Sequence, residues 1–198
     1  MKLQAKYFVM LCMLLIASCF PFHTSAHPAG VVCQSGSEML GWRVNCSSHQ
    51  ATASFKWYTP IPDSSIAVDY RYRMAVNAAA NKWKDTVTIT NSTSSTNSGY
   101  IYTFNDSNTS IVGVFHDYTS NGQGHLISWK IKFNKTVMDS FTVAEMAVVA
   151  AHELGHAIGL RDLESSGNTD KLMYAYWPFT AVSPTDKDKI GAKEATKS

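Results

Sequence analysis

The sequence predicts a single α+β domain, on three observations. Short β-branched and aromatic runs are bounded by turn residues. Two longer stretches repeat apolar residues every three or four positions. They follow one another as strand, helix, several strands, helix, turn and final helix, with no internal repeat. At 198 residues and 45% hydrophobic content the chain can bury one sizeable core.

Residues 1–26 stand apart from that domain. Lys2 and Lys6 precede an apolar run from Tyr7 to Phe20, and Thr24-Ser25-Ala26 places small residues ahead of His27, the pattern of a secretory signal peptide. Ile16-Ala17-Ser18-Cys19 also fits a bacterial lipobox, in which lipidated Cys19 would anchor the chain to a membrane. Secretion is preferred, because so short a match is a weak signal. Removing Lys2 and Lys6 from 17 basic residues leaves 15, against 15 acidic ones. That balance makes no electrostatic case for nucleic acid or an anionic membrane. Cys12 and Cys19 leave with the signal. Cys33 and Cys46 then remain of four cysteines, and in an exported chain they most simply pair as a disulfide.

Residues 27–54 form a Gly/Ser-rich N-terminal segment anchored by that pair, and the domain proper spans 55–198. Phe55–Tyr58 reads as a strand ended by Pro60 and Pro62. Asp63 or Ser64 caps a helix to about Lys84, with Ile66, Tyr70, Met74, Val76, Ala79, Ala80 and Trp83 as its apolar positions. Val87–Thr90 is a strand, 91–99 a polar surface loop, and Tyr100–Phe104 and Ile111–Phe115 two further strands. Leu126–Phe133 alternates as a half-buried strand should. Ser140 or Thr142 caps the next helix, which carries Met146, Val149 and Ala150. A Gly/Asn turn near 165–168 and an aromatic cluster come next, and Pro184-Thr185 open a last helix to about Ala195.

Residues 152–162 read His-Glu-Leu-Gly-His-Ala-Ile-Gly-Leu-Arg-Asp. Four residues apart, His152 and His156 share a helix face and can reach one Zn²⁺. Glu153 beside them can act as general base on a metal-activated water. Gly159 lets the helix break in a backbone conformation open to glycine, and Asp162 lies within reach as third ligand, ahead of Glu164 or water. Three protein ligands leave one position open, the catalytic arrangement. Two surface histidines on an ordinary helix are the bland alternative, which the Gly and Asp at usable offsets weaken.

Together with the residues downstream of it, this stretch resembles the metzincin clan of zinc peptidases, whose motif is His-Glu-x-x-His-x-x-Gly-x-x-His with a later methionine turn. Leu172-Met173-Tyr174 is similar to that Met-turn. Asp162 departs from the usual third histidine, as in the snapalysin-like small secreted proteases. The order of strands and helices over most of 55–195 also looks matrixin-like. The resemblance implies a twisted, mostly parallel sheet with an antiparallel edge strand, an active-site helix and a C-terminal helix. It gives Met173 a packing role beneath the metal. It suggests Tyr174, Tyr176, Trp177 and Phe179 as walls of a specificity pocket, and Tyr176 as a residue approaching the metal. His116 and His125 fall where matrixins bind a second zinc, but the other ligands of such a site are missing, so one catalytic Zn²⁺ is expected and a second zinc or calcium is left open.

The function expected is a secreted, monomeric zinc endopeptidase acting on a peptide or protein substrate laid along the edge strand near 111–118. A catalytically silent zinc domain that binds a peptide or surface partner is the alternative, and a zinc hydrolase of cell-wall cross-links a third. Asn-x-Ser/Thr triplets at Asn45, Asn91, Asn105, Asn108 and Asn134 are read as unmodified, since the short signal and compact domain look bacterial.

Overall fold

The computed structural model describes residues 32–60, 69–96 and 99–197. The expected signal peptide, Cys19 and the expected caps at Asp63 and Ser64 lie outside them, as does Ile66. The architecture is α+β. A five-stranded, mostly parallel sheet is accompanied by a two-stranded antiparallel sheet and, among the described residues, four α-helices.

The small sheet pairs β1 (Gly36–Ser37) with β2 (Trp42–Arg43) around a 3₁₀ turn at Glu38–Leu40. The large sheet contains β3 (Ser54–Tyr58), β4 (Thr88–Asn91), β5 (Gly99–Phe104), β6 (Gly113–Ser120) and β7 (Leu126–Asn134), in the order β4-β3-β5-β7-β6. β4, β3, β5 and β7 run parallel, and β6 closes one edge antiparallel to β7. In β7, Trp129, Ile131 and Phe133 are buried as their alternation predicts, whereas Ile127 is exposed because that end of the strand extends past β5.

The helices are α1 (Tyr70–Trp83), α2 (Lys135–Met138), α3 (Val143–Ile158) and α4 (Asp186–Ala195). α1 is capped by Asp69, whose side chain accepts from Arg71 N at 3.0 Å. Its buried stripe is Tyr72, Ala75, Val76, Ala79, Ala80 and Trp83. Tyr70 and Met74, expected on the apolar face, are exposed instead. Both sets satisfy a helical period, but the Tyr72 set continues unbroken to Trp83, and Tyr72 stacks on Phe133 of β7.

α1 and α3 pack together against the sheet, pinned where Trp83 Nε1 donates to the Ala151 carbonyl at 2.9 Å. α3 starts at a complete capping box, Thr142 with Glu145, so Thr142 rather than Ser140 is the cap. Twelve of its 16 residues are buried. The Cys33–Cys46 disulfide is formed. The segment it closes belongs to the same core, through Trp42 and Val44. Among the described residues no helix is long and apolar enough to cross a membrane.

Candidate metal centre

The last two turns of α3 place the rings of His152 and His156 edge to face, 4.8 Å apart. His152 Nδ1 lies 2.9 Å from the Leu172 carbonyl, and His156 Nδ1 lies 2.9 Å from the Leu160 carbonyl. A carbonyl only accepts, so each Nδ1 carries a hydrogen and donates it, and in the neutral ring each Nε2 presents a lone pair. Both Nε2 atoms face Asp162 Oδ1, at 3.2 and 3.4 Å. The three candidate ligand atoms lie within 4.8 Å of one another, the only such group of three or more His, Cys, Asp or Glu among the described residues.

Three acceptors aimed at one point repel unless a positive charge lies between them. With neutral rings Asp162 Oδ1 is a buried oxygen with no hydrogen-bond donor. Two charges can satisfy it, a proton or a metal ion. Without metal the proton does so. Burial lowers the basicity of His156, but Asp162 and Glu153 outweigh it and push its pKa up to about 9. Burial raises the Asp162 carboxyl, while the two imidazoles outweigh that and hold it well below the usual carboxylate range. With metal the same atoms are two imidazole nitrogens and a carboxylate oxygen, a donor set that suits Zn²⁺. The Nδ1–H bonds to Leu160 and Leu172 fix the tautomer such ligation requires.

Gly159 makes this convergence reachable. It ends α3 at φ +123°, donates to the Gly155 and His156 carbonyls, and turns the chain back so that Leu160 meets His156 and Asp162 meets both rings. A side chain there would also run into His49.

Met173 is buried against α3 where Gly155, between the two histidines, has no side chain. A Cβ on Gly155 would overlap the Met173 sulfur. The turn is locked from both sides. Leu163 N donates to the Met173 carbonyl at 2.8 Å, and Ala175 N to the Leu163 carbonyl at 2.9 Å. Asp188 of α4 accepts from Leu172 N at 3.0 Å and Met173 N at 3.2 Å.

Glu153 lies beside the cluster on the β6 side, 6% exposed, with Gly113 against its carboxylate. Burial raises its carboxyl, opposed by the two imidazoles and a hydrogen bond from the Phe115 backbone. Glu153 lines a cavity of about 320 Å³ together with His152, His156 and Asp162. Val112, Val149, Trp177 and Phe179 form its apolar walls. Phe179 stacks on His152 at 4.6 Å, and Trp177 meets Phe179 edge to face at 5.3 Å and stacks on Phe141 at 5.1 Å.

The structure thus brings together His152, Glu153, His156 and Asp162, with Gly159 and Met173 supporting them. Tyr174 and Tyr176 are not part of the cavity wall. They pack on each other at 5.5 Å, and Tyr176 is 58% exposed. Trp177 and Phe179, a little further along the chain, take that place. Glu164 is outside the ligand group, its backbone held by Glu38. His116 hydrogen-bonds Tyr102 and pairs with Asp117, while His125 packs edge to face on His49 at 5.0 Å, so the two strand histidines do not converge on one ligand group. Sequence reasoning missed Gly155 and Asp188. Asp188 is visible in the sequence as the capping-box partner three residues after the Thr185 cap, but its hold on the Met173 turn has no local signature.

Among known proteins, no family model matches the chain and no curated protein does.

Proposed function

We propose that the chain is a secreted zinc-dependent endopeptidase of metzincin type. The observation that carries the reading is the convergence of His152 Nε2, His156 Nε2 and Asp162 Oδ1, with both Nδ1 hydrogens committed to carbonyls, beside a buried carboxylate in an open cavity. His152, His156 and Asp162 would hold the metal. A Zn²⁺ held there would supply a Lewis acid for the scissile carbonyl and for the attacking water.

The remaining chemistry belongs to the chain. Glu153, whose carboxylate lines the cavity beside the three ligands, takes the proton from the attacking water and passes it to the leaving amine. β6, at the edge of the sheet, offers main-chain hydrogen bonds to an extended peptide. Val112, Val149, Trp177 and Phe179 accept an apolar or aromatic side chain next to the reacting bond and keep water from that side of it.

Casein hydrolysis with and without a chelator, on wild type and Glu153→Ala, tests this. Chelator-sensitive cleavage that drops about 10³-fold or more in Glu153→Ala is expected. Zinc uptake without any cleavage would instead indicate a binding module.

A further inference from the structure

Asp162, the third ligand of the proposed zinc site, stands on a chain segment with little secondary structure of its own. Residues 161–168 contain one isolated bridge and one short 3₁₀ turn at Ser166–Asn168. Leu163 is paired with the Met173 turn, and the other ties of this segment come from far away in sequence. Glu38, at the tip of the β1–β2 hairpin, uses both carboxylate oxygens. Oε1 accepts from Glu164 N at 3.0 Å and Arg43 Nη1 at 3.2 Å. Oε2 accepts from Ser165 N at 3.2 Å and Asn168 Nδ2 at 2.8 Å. Arg43 Nη1 also donates to the carbonyl of Asp162 itself, at 3.2 Å. On the near side of the ligand, Arg161 N donates to the Arg43 carbonyl at 3.0 Å, and Val44 pairs with Leu160.

The backbone on both sides of Asp162 is therefore tied to residues 38–44, and that stretch lies inside the loop closed by Cys33–Cys46. We propose that Glu38 and Arg43 are positioning residues for the metal centre: the disulfide-closed hairpin acts as a clasp that sets the third ligand against the two histidines. The inference rests on the zinc reading and assigns this N-terminal segment a part in it. Neither residue belongs to the ligand group itself. Both act by fixing the carbonyl and amide groups around Asp162, so that Oδ1 meets the Nε2 atoms without first ordering a loop. Each of these side-chain hydrogen bonds has a charged donor or acceptor, which makes it stronger than a neutral one.

Zinc affinity separates this role from a merely structural one, which would lower the melting temperature and leave the ligands of the folded protein as they were. The disulfide-intact protein is stripped with a chelator. Zinc dissociation constants are then measured by competition with a chromophoric chelator, well below the melting point, for wild type, Glu38→Ala and Arg43→Met. Both variants are expected to bind zinc about 10- to 100-fold more weakly, the range seen when groups that orient metal ligands are removed. Arg43→Met removes only the two side-chain hydrogen bonds of Arg43, and it carries the test if Glu38→Ala does not fold. Variant affinities within about twofold of a zinc-binding wild type overturn this inference and leave the function proposal standing. A wild type that takes up no zinc overturns both.

Discussion

Asp188 Oδ1 accepts the backbone N–H of Met173 at 3.2 Å, and its Oδ2 accepts that of Leu172 at 3.0 Å, so one carboxylate of α4 holds the turn beneath the histidines. Oδ2 also takes the Thr185 amide and hydroxyl at the start of its own helix. A residue 1% exposed thus serves four donors. Asp188→Ala leaves buried amides without an acceptor, and a loss of about 3 kcal/mol is expected. Urea unfolding checks it. Because the Leu172 carbonyl orients His152, zinc affinity should fall as well. A variant as stable as wild type would show that the turn holds itself.

Gly159→Ala places a side chain at φ +123°, where L-residues are rare, and drives it into His49. The expected cost is about 2 kcal/mol or more, read by thermal or chemical unfolding. The chain leaves α3 at this residue, so the Asp162–His156 approach should loosen too, and zinc binding should weaken beyond what the stability loss explains.

In chelator-treated protein the site should make stability depend on pH. His156, raised from 6.5 to about 9, contributes stability that is fully present below about 6.5 and lost as pH rises through about 9. Asp162 is depressed, so its contribution is present above its unfolded value of 3.8 and is lost as pH falls toward its lower folded one. Glu153 is raised, which costs stability once pH exceeds its unfolded value of 4.5. The three together predict that the metal-free protein loses stability from about pH 6.5 to 9, measured by urea midpoints across that range. Zinc ligation needs His156 unprotonated, so the loss should be absent from the zinc-loaded protein. Chelated protein of constant or rising stability over that interval would contradict the His156–Asp162 coupling.

Much of the fold is visible in local pattern. The strand at Leu126–Asn134 comes from alternation, the 143–158 helix from its period and the Thr142 cap, and α4 from Thr185. The helix before β4 shows where pattern stops. Tyr70, Met74 and Tyr72 all fit a three- or four-residue spacing, and only packing on Phe133 selects Tyr72. The aromatic cluster shows it again. Tyr174, Tyr176, Trp177 and Phe179 crowd the chain just after Met173. Nothing local distinguishes the two tyrosines, which turn away, from Trp177 and Phe179, which line the cavity.

At the candidate site the sequence by itself determined which groups are available. A helix spaces residues four apart onto one face whatever surrounds it, so His152 and His156 were paired by covalent geometry alone. Glu153 and the break at Gly159 came with the same helix. Tertiary structure decided which way each group points and what keeps it there. Leu160 and Leu172 set the histidine tautomers, Asp188 fixes the turn under them, and Glu38 and Arg43 grip the chain around Asp162 from more than a hundred residues away. These partners are joined through backbone amides and carbonyls, which every residue carries and which leave no mark in an amino-acid sequence.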